Sequence, residues 1–351
     1  MNIFIPQDKE VILNKKSLFV ILKPFFQNGK WVNNNSYYSW DLNGINIVTD
    51  LKKSDVLFIP MPINYYHENK MIYLIKKYNE YCEKFKITGF GIISGDFGME
   101  FPEFNDIVYF RMSGFRSSLS LKNQGFPASL SDQYKKIYET DEILIREKSL
   151  APRIGFCGHA TSNKFVYIKQ SFNFFFENIK RFFQNPFRKD YEPLFQSGLK
   201  RFNILKNIEN NKNLHTNFIY REKYRAGFKN LDEKKRTTIE YYDNILSSDY
   251  IICIRGTGNF SIRLYETLMM GRIPIFIDTD CLLPFTDKIN WEKHIIQINW
   301  SDINNLPQII LNFHNNISDS NFKKQQKKNR ELWLEKLNPS WLLQNILHFR
   351  N

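Results

Sequence analysis

The sequence predicts an α/β fold built as two domains, each a parallel sheet covered by helices. Three observations lead there. Short apolar runs alternate with longer segments of helical periodicity, the order that parallel strands with helical crossovers require. The 351 residues, 42% of them hydrophobic, suffice for two domains with sizeable cores and exclude a disordered chain. Residues 250–291 alone contain a strand, a Gly-rich loop, a helix and a second strand in succession.

In chain order, residues 17–22 (SLFVIL) are the first expected strand. Residues 23–40 form an aromatic, Asn-rich loop. A second strand is expected at 55–60 and a helix at 70–86, where Met71, Leu74, Ile75, Tyr78 and Tyr81 recur at helical spacing. Further strands are expected at 89–94 and 107–110. Asp96 follows the strand at 89–94, between Gly95 and Gly98. Ligands in open parallel sheets bind beyond the carboxyl ends of strands. Asp96 therefore reads either as a general base or as a turn residue bonded to its own backbone, with Glu100 and Glu103 as rivals for the first role.

Residues 113–131 read as polar loop and 132–148 as a charged helix or linker. A strand at 154–158 follows Ala151-Pro152-Arg153, so the domain boundary is expected near Leu150. The first domain is then 1–150, the second 151–320, and 321–351 a C-terminal helical segment that could cross back to the first domain. Gly158 ends the strand and His159 opens the next loop, with a helix expected after Ser162. His159 could touch a diphosphate or act as acid or base near neutral pH; equally, it could be a loop histidine bonded to backbone. Residues 172–189 mix phenylalanines with Lys180, Arg181, Arg188 and Lys189. The favoured reading is an amphipathic helix with its aromatics in the core. The alternatives are a site for single-stranded nucleic acid or an anionic membrane surface. A strand is expected at 216–220, a helix at 237–247, a strand at 294–298, and helices at 304–315 and 321–337.

The central stretch carries chemistry. Strand 250–254 runs into Arg255-Gly256-Thr257-Gly258-Asn259-Phe260, whose glycines allow tight turns. Ser261 is placed as the N-cap of a helix over 262–270, Gly271 as its stop, and 273–277 as the next strand. Exposed N–H groups and the positive end of a helix make an anion site, and Arg255 and Arg263 flank it. Glu266 lies one turn beyond Arg263, where it could meet a hydroxylated end of the same ligand or simply pair with Arg263.

These residues resemble the signature of the exostosin-like glycosyltransferases, glycosyltransferase family 47. Arg255-Gly256, Ser261-Ile262-Arg263, Glu266, Gly271-Arg272-Ile273-Pro274, Leu283-Pro284-Phe285 and Trp291 appear in the family's order, over about an eighth of the chain. The resemblance implies a GT-B fold, two Rossmann-like domains facing across a cleft. It also implies inverting transfer of a sugar from a nucleotide-sugar donor, usually UDP-linked, to a glycan or lipid-linked oligosaccharide hydroxyl in polysaccharide or glycoconjugate synthesis. Arg255, Gly256, Gly258, Ser261 and Arg263, with Gly158, would then hold the diphosphate, and Glu266 the ribose. Asp96 and His159 are the catalytic candidates from the residues themselves. Asp278-Thr279-Asp280 is variable linker in this family, so no metal is expected.

The formal net charge of +13 favours anionic partners. Four scattered cysteines form no metal or redox motif and read as small hydrophobes in a reducing compartment. Residues 1–13 do not read as a signal peptide, and no run reaches the roughly 20 apolar residues of a membrane span. A cytoplasmic enzyme, with peripheral contact to an anionic membrane and no nucleic-acid partner, is expected. Two other classes remain: an NAD-type oxidoreductase using Gly256-x-Gly258 with Asp278 as the ribose acid, and a basic nucleic-acid or membrane-surface binder.

Overall fold

The computed structural model describes all residues except Tyr38, Ser39, Lys189, Lys223, Arg350 and Asn351, and omits the side chains of Tyr224 and Arg225. The parts of the 23–40 loop and of the 172–189 segment at those positions lie outside the described residues. The chain forms two compact units. Unit 1 comprises 1–129, 282–285 and 336–351; unit 2 comprises 130–281 and 286–335. Residues 130–150, expected with the first domain, thus belong to the second, and 321–335 stay with it too. The charges that made 132–148 read as a linker are what tie it there. Asp132 pairs with Arg330 at 2.5 Å, and Arg146 with the buried Asp249 at 3.2 Å.

Unit 1 holds six parallel strands: β1 (Asn2–Phe4), β2 (Asn46–Val48), β3 (Val56–Phe58), β4 (Thr88–Ile93), β5 (Ile107–Arg111) and β6 (Asn123–Gly125). Their order is β6-β5-β4-β3-β1-β2. Helices α1 (Ile63–Glu68) and α2 (Ile72–Phe85) follow β3, and α2 buries Leu74, Ile75, Tyr78 and Cys82 at the spacing that predicts it. The strand expected at 17–22 is absent. Val20–Phe25 is a 3-10 helix with Pro24 inside it, and Phe19, Ile21, Leu22 and Phe25 are all fully buried. An apolar run buried on every side has no period of two to mark it as a strand.

Unit 2 holds five parallel strands: β7 (Arg153–His159), β8 (His215–Arg221), β9 (Tyr250–Cys253), β10 (Ile273–Asp278) and β11 (Ile296–Asn299), in the order β8-β7-β9-β10-β11. Its helices are α3 (Gln133–Tyr138), α4 (Lys164–Gln184), α5 (Ser197–Glu209), α6 (Leu231–Leu246), α7 (Ile262–Met269), α8 (Leu306–Asn316) and α9 (Asp319–Glu335); α10 (Pro339–Asn345) belongs to unit 1. Both units are Rossmann-like α/β domains, as expected. In unit 2 the sheet grows outward from β7 to β8 and then, in the opposite direction, from β9 to β11. The point of reversal lies between β7 and β9.

The core of unit 2 forms around β9 and β10, both buried along their whole length. Helix α7 packs Leu264, Leu268 and Met269 inward, each worth about 1.5–3 kcal/mol if fully removed from water. Gly271 ends it at φ +65°, a left-handed conformation that suits glycine. All four cysteines are buried and none forms a disulfide. Helix α4 contradicts the favoured sequence reading. Phe174 is buried, but Phe172, Phe175, Phe176, Phe182, Phe183 and the following Phe187 are exposed, while Arg181 is buried. No described helix is long and apolar enough to cross a membrane.

Candidate active site

Strands β7 and β8 pair in register along all of Arg153–His159. Strands β7 and β9 do not. Their pairing is confined to Ile154 with Tyr250 and Gly155 with Ile251, although β7 continues to His159 and β9 to Cys253. The ladder therefore opens toward the carboxyl ends at the point where strand order reverses, the place where open α/β sheets bind ligands.

Two arginines fill that opening. Arg263, in the first turn of α7, donates from Nη2 to the Cys157 carbonyl at 2.9 Å and from Nη1 to the Ile252 carbonyl at 3.4 Å. Its guanidinium lies over the Phe156 ring at 4.2 Å. Arg201, on α5, does the same one step farther along. It donates to the carbonyls of His159 (3.3 Å), Ile254 (3.2 Å) and Arg255 (2.9 Å). Each guanidinium thus bridges the splayed strands in place of ladder hydrogen bonds. Gly158 makes room for this: a Cβ there would lie 2.6 Å from Arg263 Nη2. Arg201 had no signal in the sequence, because it enters from a helix some 50 residues upstream of the signature loop.

The other expected ligands take more particular positions. Arg255 is 2% exposed and faces inward. Its Nη2 meets Glu192 at 3.2 Å and the Thr257 carbonyl at 2.7 Å, and its guanidinium stacks on Phe195 at 4.7 Å. Burial lowers its pKa, an effect the Glu192 carboxylate opposes. Its charge is answered inside the protein, so it shapes the loop and is not presented as a phosphate ligand. Gly256 and Gly258 are not among the residues with positive φ, so the expected tight turns are not left-handed. A Cβ at Gly256 would meet Arg201 Nη2 at 3.6 Å, an ordinary contact, so the approach of Arg201 does not depend on glycine there. Ser261 occupies the N-cap position of α7 but its hydroxyl makes no capping hydrogen bond. Glu266 forms no ion pair with Arg263 among the described residues. Its carboxylate accepts from Tyr241 Oη at 2.5 Å and Tyr242 Oη at 3.3 Å. Burial, reinforced by Glu266, holds both phenols well above the usual tyrosine pKa, so they remain donors.

His159, at the end of β7, places Nδ1 3.2 Å from the Arg221 carbonyl, which fixes the ring proton there. Its Nε2 lies against Gly198, 3.1 Å from where a Cβ would stand. Burial and the nearby Arg201 charge lower its pKa, partly offset by the Arg221 carbonyl, so the ring stays neutral near pH 7. Asp96 belongs to unit 1, beyond the end of β4. Its carbonyl accepts from Ser113 Oγ at 2.6 Å, and the residue is exposed. Its rival Glu103 is spent on Asn123 Nδ2 (2.5 Å) and Ser120 Oγ (2.6 Å). Gly158, His159, Gly256, Ser261, Arg263 and Glu266 thus cluster in unit 2 with Arg201 and the inward-turned Arg255.

Asp278, the acid a dinucleotide fingerprint would need, is 4% exposed and accepts from Cys281 N at 2.8 Å and Gln297 Nε2 at 3.0 Å. Among the described residues, no group of three or more His, Cys, Asp or Glu is arranged to hold a metal. A cavity of about 500 Å³ is lined by Ile273, Lys293, His294 and Lys324. It adjoins the amino-terminal start of β10, the wrong end of a parallel sheet for a ligand site.

The Exostosin GT47 domain model matches residues 184–313. These residues are similar to the exostosin GT47 domain. The matched stretch spans Arg201, the Arg255–Ser261 loop, Arg263 and Glu266; Gly158, His159 and Asp96 lie outside the match. A probable glycosyltransferase of Arabidopsis thaliana is 31% identical over 77 residues, 22% of this chain and 16% of that protein. A probable glucuronosyltransferase of Oryza sativa subsp. japonica is 33% identical over 70 residues, 20% and 17% respectively. The probable beta-1,4-xylosyltransferase IRX10 of Arabidopsis thaliana is also 33% identical over 70 residues, again 20% and 17%. The chain therefore spans about a sixth of the length of these relatives. Among solved structures, WaaG, a glycosyltransferase involved in lipopolysaccharide biosynthesis, covers 88% of this chain and 78% of its own at 9% identity and TM-score 0.30. Anabaena HepE in complex with UDP-glucose covers 85% and 78% at 6% identity and TM-score 0.36. Scores this low leave the fold to rest on the sheet orders above. In the stretch similar to exostosin GT47, those orders put the signature loop at the opening between β7 and β9.

Proposed function

We propose that this chain is an inverting glycosyltransferase that moves a sugar from a nucleoside-diphosphate sugar, UDP-linked in our reading, to a hydroxyl of a glycan or lipid-linked oligosaccharide. The observation that carries the reading is the pair of arginines, Arg201 and Arg263, bridging the opened strands at the switch point, beside the signature loop of the stretch similar to the exostosin GT47 domain. In such a transfer the acceptor oxygen bonds to the anomeric carbon as the bond from that carbon to the diphosphate oxygen breaks. The electron pair leaves with the diphosphate, and the acceptor proton passes to a base. Preorganised positive charge acts where the leaving group gains negative charge. Here it comes from Arg263, the N-terminus of α7 and Arg201. The Ser261 hydroxyl, with no capping bond to make, is the side-chain donor we assign to a phosphate oxygen. Arg263 has five N–H groups, of which the two strand carbonyls engage two. Asp96 is the base we assign, as an exposed carboxylate past a strand end. His159 is a positioning residue in this reading, since its carbonyl holds Arg201 and its Nε2 faces Gly198. The sugar is of the hexuronic acid or pentose class, by analogy with the glucuronosyl- and xylosyltransferase relatives, and no metal is required.

The test is thermal stabilisation by UDP, GDP, CMP and NAD, in the wild type and in Ser261→Ala and Arg263→Lys. A nucleoside diphosphate at a hundred times its dissociation constant should add about 2.7 kcal/mol, and both variants should lose most of that gain. Stabilisation by NAD alone, or by none of the four, overturns the reading.

A further inference from the structure

Helix α4 presents its apolar side outward. At 100° per residue, Phe165, Ile168, Phe172, Phe175, Phe182 and Phe183 fall in one arc, and their exposure runs from 48% for Ile168 to 83% for Phe165. The opposite arc is polar and fastens the helix to unit 2. Gln170 Oε1 accepts from Gly198 N at 3.2 Å. Asn178 bonds both the N–H (2.8 Å) and the carbonyl (2.9 Å) of Glu192. Arg181, fully buried, donates to Glu177 at 3.1 Å and pairs with Glu192 at 3.6 Å. These bonds fix which side of the helix faces in, so the aromatic arc is a settled surface feature.

The charge on α4 is also sorted. Its single acidic residue, Glu177, is on the inward side with Arg181, while Lys169 and Lys180 are exposed along one edge of the aromatic arc and Lys164 along the other. The 21 residues make a rod about 31 Å long, bearing rings in the middle and only positive charge beside them. We infer that α4 is a membrane-surface helix. Its rings enter the boundary between head groups and acyl chains of a bilayer containing anionic lipid, and Lys169 and Lys180 lie against the lipid phosphates. Charge complementarity selects this occupant. A second copy of the chain would bring another +13 and the same lysine-edged arc, whereas an anionic bilayer supplies the opposite sign. Single-stranded nucleic acid would call for a basic groove that tracks its backbone, and the arc is a convex helix face whose lysines flank the rings without forming a groove. The inference stands apart from the glycosyl-transfer reading.

The experiment is co-flotation of the full chain with phosphatidylcholine vesicles, with and without about a third of phosphatidylglycerol. Three proteins are compared: wild type, Phe175→Ser/Phe182→Ser/Phe183→Ser, and Lys169→Glu/Lys180→Glu. The wild type should float with the anionic vesicles and far less with the neutral ones. The triple phenylalanine variant should lose at least about tenfold in partitioning, and the lysine variant roughly fivefold or more per reversed charge. Both sets are exposed, so urea midpoints should match the wild type. Should one variant fail to fold, the other reads the same surface. Absence of wild-type flotation overturns the inference, as does equal flotation of the variants. So does a wild-type dimer that the triple variant turns into a monomer, or binding of an oligothymidine in place of vesicles.

Discussion

Two crossover helices leave the two strands that flank the switch point, and they are built in opposite ways. Helix α7, after β9, buries Leu264, Leu268 and Met269 and sends Arg263 to the strand carbonyls. Helix α4, after β7, buries Arg181 and exposes most of its phenylalanines. The first is fastened by hydrophobic packing with one polar bridge, the second by an ion-pair network with the apolar face left over. Periodicity reports that a helix has two faces; it does not report which one the protein covers. Glu192 joins the two regions. It pairs with Arg181 of α4 at 3.6 Å and with Arg255 of the signature loop at 3.2 Å, and all three side chains are buried.

The largest expected effect comes from cutting that joint. Glu192→Ala leaves two buried guanidiniums short of a shared carboxylate, and breaking a buried pair by removing one partner costs about 3–5 kcal/mol. Urea denaturation should show a loss in that range. A loss below about 1 kcal/mol would mean that α4 is held by something other than this network. Next is Arg263→Ala, which strips the opened strands of one bridge. Stability should fall by about 1.5–3 kcal/mol, the scale of a hydrogen bond to a charged group together with a carbonyl left unsatisfied. Gly158→Ala should reproduce part of that loss by pushing the guanidinium off the Cys157 carbonyl. On the outward arc of α4, Phe183→Ser should change stability by no more than about 0.5 kcal/mol, because the side chain is 81% exposed. A larger loss would show that the two helices are alike after all.

The contrast also marks what could be read from residues alone. The unit from β9 through α7 to β10 stands within a residue of where its apolar runs, Ser261 and Gly271 place it, because local chemistry and tertiary burial agree there. The family signature led to the same loop. What was not legible depends on partners distant in sequence. Arg255 carries the expected charge, yet Glu192 answers it from 63 residues away. Arg201 reaches the loop from α5 with no motif around it. Aromatic residues usually bury, so the sequence points the phenylalanines of α4 to the core, and only the Arg181 network shows why all but Phe174 face outward. The short strands β1, β2 and β6 escaped for a different reason: β3 is equally short but is an unbroken buried apolar run, whereas these three include Asn2, Asn46, Asn123 and Gln124 and are too short for an alternation to register.

The smallest expected effect separates the two regions by pH. His159 ends the strand that leads to α4, and His314 sits in α8, 1% exposed, between Tyr250 Oη at Nδ1 and the Ser149 carbonyl at Nε2, each 2.9 Å away. Burial is the leading cause that lowers both pKa values below that of an ordinary histidine. A histidine held neutral in the fold binds its proton more readily once unfolded, near the usual value of about 6.5. Its contribution to stability is therefore complete above that pH and is lost as pH falls from there through the folded pKa. Stability should decline on acidification from pH 7 to 5. His159→Asn should flatten part of that slope, and His314→Asn another part. In His159→Asn the neutral-pH stability should change little, since the Arg201 bridge uses the backbone carbonyl of residue 159 and not its ring. An unchanged slope in both variants would show that neither histidine ring is the source of the acid sensitivity.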